Sequence, residues 1–229
     1  MTGLVSHARN MTDQNTHTTT IPEMLTADDP RAHVASAVTT ARAAVEALTP
    51  DQYDLPTTCG PMTVGDLAEH LVMALRNLAL AGRGEPPSNW PHDASDVPAG
   101  EWAPALASAA GEVHAAWGEE TLDRPTIVPW GEFPGREVLG TYVNELLVHT
   151  WEIARATGQD PDWDEAAVGF ADWAIHEQLP MADRTEMWNA FREQLPPGVP
   201  WTDPFGPAVE VPDDAEAIER LVAWNGRTP

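Results

Sequence analysis

The stretch YVNELLVHTWE, Tyr142–Glu152, puts two glutamates and a histidine on what should be the buried face of a helix. Val138, Tyr142, Glu145, His149 and Glu152 follow one another at spacings of 4, 3, 4 and 3. That is the repeat of a single helical stripe. An unpaired carboxylate on such a stripe costs several kcal/mol to bury, so something must compensate it. The surrounding pattern predicts a helix from about Arg136 to Thr157, closed by Gly158 at a position where glycine commonly ends helices.

Three helices are predicted before it. The first starts near Pro30 behind Asp28 or Asp29, and its stripe is Val34, Val38, Ala41, Val45 and Leu48. The second opens at Thr63, with Asp66 three residues on in a near capping box. Its apolar face is Val64, Leu67, Leu71, Leu75 and Leu78, and His70 interrupts it. The third covers about 99–121 through Trp102, Leu106, Ala109, Val113 and Trp117. The Pro- and Gly-rich stretch 125–135 is predicted to be irregular, with room for a short strand but not for a helix, and nowhere in the chain is there a β-alternation long enough for a sheet. Later helices are predicted at about 164–178 and 182–194, and a last one, after a Pro-rich connector, from Asp213, where Asp213 and Glu216 resemble a capping box, to before Gly226. Residues 1–28 read as a flexible polar lead, with Met11 an alternative start. Residues 29–229 read as the folded unit. Four long single-stripe helices imply an all-α, antiparallel four-helix bundle with extra C-terminal helices. The two mid-chain loops are longer than a simple up-down bundle needs.

Composition narrows the chemistry. The chain of 229 residues carries 36 Asp+Glu against 12 Lys+Arg, a formal net charge of −24. Every one of those basic residues is arginine. Without lysine there is no Schiff-base, pyridoxal-phosphate-anchoring or P-loop amine. The acidic balance argues against nucleic acid, whose phosphates need clustered cations, and against anionic membrane surfaces. One cysteine, Cys59, excludes an intrachain disulfide and a multi-cysteine zinc knuckle. It reads as a small packing residue, since no cluster of positive charge is evident beside it. No apolar run is long enough to span a bilayer, and no signal peptide is evident. A cytoplasmic monomer or homodimer is expected.

A divalent metal would compensate the polar stripe. Glu145 and His149 are four residues apart, so both can face one ion. His70, on a second inward stripe, can supply a third ligand. Each feature alone also reads as an ordinary ion pair or a hydrogen-bonded core histidine. Together, His70, Glu145 and His149 make a two-histidine, one-carboxylate set that leaves a position open for substrate. Zinc is the first choice; iron(II), nickel and manganese share the ligand preference.

Two segments carry a resemblance. PTTCGPMTVGDLAEHLV (Pro56–Val72) resembles the P-T-x-C-x-x-W-T-V-x-D-L-x-x-H segment of the mycothiol-dependent maleylpyruvate isomerase-like family, within the DinB/YfiT-like metalloenzyme superfamily. LGTYVNELLVHTWEIARATGQ (Leu139–Gln159) resembles its E-x-x-x-H-x-W-D-L-A-x-A-T-G helix. The tail from Phe205 is similar to the ending of an actinobacterial subgroup. Met62 stands where the pattern has Trp. The resemblance implies a DinB-like bundle whose metal, usually zinc, is held by residues matching His70, Glu145 and His149. The chain lacks room for the extra C-terminal domain of the full-length isomerase, which puts the isomerase activity itself in doubt.

The expected function is therefore a metal-dependent enzyme that activates a low-molecular-weight thiol, by resemblance mycothiol, for transfer to a small electrophile or for its isomerisation. Glu152 is a candidate base or orienting group, and Tyr142 and Asn77 are candidate polar wall residues. Arg76 and Arg155 are candidates for holding an anionic ligand at the bundle mouth. A non-catalytic metal-binding protein and a metal-activated hydrolase, with Glu152 as general base, are the alternatives.

Overall fold

Asp29 opens the first helix with its own side chain: the carboxylate accepts from the Arg31 amide, and Pro30 takes the first turn, where no N–H is needed. The computed structural model describes residues 29–194 and 203–229. The expected lead at 1–28 and part of the Pro-rich connector lie outside them. The helices are α1 (Pro30–Glu46), α2 (Val64–Arg83), α3 (Trp102–Ala116), α4 (Gly135–Thr157), α5 (Glu165–Gln178), α6 (Thr185–Gln194) and α7 (Ala217–Trp224). The stretch read as irregular forms a two-stranded antiparallel hairpin, β1 (Pro125–Val128) and β2 (Gly131–Pro134). It is a small exception to the expectation of no sheet. Four residues per strand are too few for an alternation to stand out in sequence.

The four long helices close a ring in which α1 touches α3 and α4, and α2 touches α3 and α4. Their stripes fill the centre: Val34 and Ala41, Leu67 and Leu71, Leu106 and Ala109, and Val143 and Leu146 are all buried. Directions follow from end contacts. A Cβ on Gly65, at the start of α2, would meet Trp102, at the start of α3. At the other end, the Trp117 indole N–H donates to the Leu78 carbonyl at 2.9 Å. So α2 and α3 run parallel. Gln159, just past α4, donates to the Ala44 carbonyl near the end of α1, so α1 and α4 also run parallel. The Thr58 hydroxyl, just before α2, reaches Glu152 late in α4, and Trp117 lies against both Gly82 at the end of α2 and Gly135 at the start of α4, so the two pairs oppose each other. The antiparallel relation of the bundle thus holds for α1–α3 and α2–α4.

This topology explains the long connection at 84–101. A parallel α3 must begin where α2 began, so the chain has to travel back along α2's whole length, about 30 Å for 20 residues. It is pinned on the way. Asn77 donates to the Pro91 carbonyl, Arg76 pairs with Asp96, and the Glu69 carboxylate accepts from the Ala94 amide. Trp90 and Ala94 are buried by it.

The C-terminal helices pack outside the ring, with α5 on α4 and α7 on α5 and α4. The last helix starts later than predicted, because Glu216 and Glu219 form the capping box in place of Asp213 and Glu216. Asn144 on α4 and Asn225 after α7 exchange buried amide hydrogen bonds of 3.1 and 2.8 Å. That pair anchors the tail to the helix that carries the polar stripe. The architecture is all-α apart from the hairpin, as expected for a DinB-like bundle. Among the described residues no helix is long and apolar enough to cross a membrane.

Candidate metal centre

The polar stripe of α4 faces α2, and the three residues singled out as ligands come together between them. The Thr63–Asp66 capping box fixes the start of α2, which sets His70 two turns inside the helix. His70 Nε2 lies 2.7 Å from Glu145 Oε1. His149 Nε2 lies 3.2 Å from the same oxygen. The two imidazole rings meet edge to face at 4.8 Å between centroids.

A carboxylate between two imidazoles is an unusual core arrangement, and its electrostatics are strained. Burial pushes the Glu145 carboxyl up, but His149 and His70 outweigh it and hold the group well below its ordinary range. Burial likewise pushes the His149 imidazole down, and Glu145, Cys59 and Glu152 more than reverse that. The ligand atoms of His70, Glu145 and His149 all lie within 4.8 Å of one another. A tetrahedral ion held at about 2.0–2.1 Å needs donor atoms about 3.3 Å apart, so the donor set fits a divalent metal in both chemistry and spacing.

Glu152 stands behind His149. Its Oε2 is 2.6 Å from His149 Nδ1, and its Oε1 accepts from Arg227 Nε at 2.9 Å and from the Thr58 hydroxyl at 3.3 Å. Its side chain is fully buried. A carboxylate on Nδ1 holds the ring so that Nε2 faces Glu145 and His70, the nitrogen that would give up its proton to a bound metal. The front of the cluster is open by contrast. The His70 and Glu145 side chains remain 25% and 28% exposed.

Tyr142, one turn before Glu145, is buried. Burial and the neighbouring Glu145 charge push its phenol well above the usual range, so the hydroxyl keeps its proton. Asn77 is two turns beyond His70 on α2. Its amide donates to Pro91, and its carbonyl oxygen is buried without a partner. The structure does not bring Arg76 and Arg155 to the cluster. Each lies six residues beyond a ligand histidine, which at about 100° per residue turns it roughly 120° away around its helix. Arg76 is tied to Asp96, and the exposed Arg155 lies over the Trp151 ring.

Three residues at the centre were not singled out from the sequence as part of it. Thr58 and Cys59 precede α2, and Arg227 comes from the C-terminal tail. Arg227 Nη2 reaches to 3.8 Å from Cys59 Sγ, which supplies the positive charge whose absence led to reading Cys59 as simple packing. Met62, in place of the family's usual Trp, sets its sulfur 3.9 Å from the same thiol. All three lie within the stretches that carry the resemblance, but outside any helical period. That resemblance was the available signal.

Over residues 34–154 the chain matches the family described as mycothiol maleylpyruvate isomerase N-terminal domain. It is 33% identical over 184 residues to an uncharacterized protein of Mycobacterium tuberculosis, matched in strains CDC 1551 / Oshkosh and ATCC 25618 / H37Rv. That alignment covers 78% of this chain and 86% of the relative. No solved structure matches significantly. With its bundle, its cluster between α2 and α4 and a match spanning more than half its length, the chain belongs to the mycothiol maleylpyruvate isomerase N-terminal domain family.

Proposed function

We propose that this protein is a divalent-metal-dependent enzyme that activates a low-molecular-weight thiol, mycothiol, for addition or transfer to a small electrophile. The observation that carries the reading is the cluster of His70, Glu145 and His149, closed behind by buried Glu152 and open in front. A structural metal site is normally closed by four protein ligands, whereas three ligands and an exposed side suit a catalytic one. Zinc held there supplies the Lewis acidity that favours a thiolate at neutral pH.

The protein's own residues do the rest. Glu152 holds the His149 proton at Nδ1. Arg227 and Thr58 occupy the other Glu152 oxygen, so this carboxylate has no free oxygen with which to take a proton from the open side. That supports an orienting role over the general-base role a hydrolase would need. Tyr142 keeps its hydroxyl protonated at the margin of the centre, as a donor to a bound carbonyl. In the reaction the thiolate sulfur forms a bond to an electrophilic carbon. The displaced electron pair goes to a leaving group, or to an adjacent carbon that then takes a proton.

Elemental analysis of the purified chain tests the metal, with one ion per chain expected and loss of that ion in His70→Ala and His149→Ala. Consumption of an electrophile with and without mycothiol tests the thiol. Turnover that does not depend on thiol would favour hydrolysis. A chain without stoichiometric metal overturns the reading altogether.

A further inference from the structure

The β1–β2 hairpin leans over the start of α4, and its turn carries Trp130, which is 49% exposed. The indole is not a loose surface group. Its N–H donates to Gln178 Oε1 at 3.1 Å, and the Gln178 amide in turn donates to the Glu137 carbonyl of α4. The Trp130 ring lies 6.1 Å from that of Tyr142 at a tilt of 41°. Tyr142 shares the inward stripe with Glu145 and His149, about 4.5 and 10.5 Å before them along the helix axis. A fixed aromatic wall therefore runs from buried Tyr142, one helical turn from Glu145, out to exposed Trp130.

Charge narrows what can lie against that wall. The arginines of the neighbouring elements have partners of their own: Arg76 pairs with Asp96, Arg124 donates to the Ala81 and Gly82 carbonyls, Arg136 pairs with Asp123 and Arg227 with Glu152, while Arg155 covers Trp151. The whole chain carries −24. A carboxylate lying along the wall would have to draw one of these guanidinium groups from its partner, against a repelling field. An uncharged π-system would gain stacking on exposed indole.

We propose that Trp130 and Tyr142 form the electrophile subsite of this protein and that the electrophile is an uncharged, planar, conjugated carbonyl compound. The proposal rests on the function proposed above for its chemistry, but not for its binding. In that chemistry the thiolate adds at the β-carbon of the conjugated system. The C=C electron pair moves toward the carbonyl, and the α-carbon takes up one proton, so thiol plus enone gives the saturated adduct.

The test uses 4-phenylbut-3-en-2-one and its anionic counterpart 2-oxo-4-phenylbut-3-enoate, which differ by a methyl group against a carboxylate. Each is titrated by calorimetry into the full chain, first stripped of metal and then loaded with zinc, with no thiol present. The metal-free protein should bind the neutral ketone at least tenfold more tightly than the anion. Trp130→Ala should weaken that binding at least fivefold, with Trp130→Phe in between and the circular dichroism spectrum unchanged. Equal or tighter binding of the anion to metal-free protein overturns the proposal, as does a Trp130→Ala protein that binds the ketone as the parent does. Loss of metal stoichiometry with the ketone preference intact would instead fault the proposed function and leave the subsite standing.

Discussion

At the scale of single residues, Glu145 and His149 are held in opposite charge states against the cost of burial. Glu145 is kept well below 4.5 and His149 well above 6.5. The depressed carboxyl contributes stability that is present above its unfolded pKa and is lost as pH falls through the folded one. The raised imidazole contributes stability that is complete below 6.5 and is lost as pH rises through its folded pKa. Both are complete only between about pH 4.5 and 6.5. In metal-free protein, the difference in Tm between the parent and His149→Gln is therefore expected to be largest in that window and to shrink on both sides. A thermal-melt series across pH checks it, and a flat difference would contradict it. Loading with zinc reverses the alkaline limb, because the ion must displace the imidazole proton and so stabilises the fold more as pH rises.

At the scale of elements, the parallel packing of α2 on α3 depends on one small residue. A Cβ on Gly82 would come within 2.6 Å of the buried Trp117 indole nitrogen, the atom that donates to Leu78. Gly82→Ala is expected to destabilise the fold by about 1–3 kcal/mol through overpacking. Gly111 on α3 is exposed and has nothing near its would-be Cβ. Gly111→Ala should therefore stabilise by roughly 0.5–1 kcal/mol through helix propensity alone. Urea denaturation of the two variants separates packing from propensity. Most of this level was legible in advance. Four apolar stripes, the Thr63 cap and Gly158 located the long helices to within about three residues of their ends, except that α3 stops at Ala116, five residues before the expected end. The hairpin was not legible, nor was the register of the last cap, because short strands and competing acidic caps leave several nearly equal local solutions. The direction of α3 was hidden for another reason. A stripe reports which face is buried, not which way its neighbour runs, and only the length of the 84–101 connection hinted at a return path.

At the scale of the whole molecule, a net charge of −24 on 229 residues repels itself. The Debye length falls from about 30 Å at 0.01 M to about 10 Å at 0.1 M ionic strength. The Tm is accordingly expected to rise by about a few degrees between 10 and 150 mM sodium chloride, as differential scanning calorimetry would show. A Tm that is unchanged or falls would mean that local ion pairs such as Arg76–Asp96 and Arg136–Asp123 outweigh the collective field.

The sequence by itself determined the helical class and the inward stripes of α2 and α4, and with them the identity of His70, Glu145 and His149 as polar intruders in a core. Periodicity is a local property, and a residue of the wrong polarity on a buried face is visible without knowing what it faces. Only the tertiary structure decided that these three meet, that Glu152 stands behind them fully engaged, and that Arg76 and Arg155 turn away. The same holds for the residues that complete the surroundings, since Arg227 reaches Glu152 across 75 positions of chain and Trp130 reaches Tyr142 from a turn with no period of its own. Contacts of that kind are set by how the helices cross and where the tail is anchored, which is a property of the packed whole.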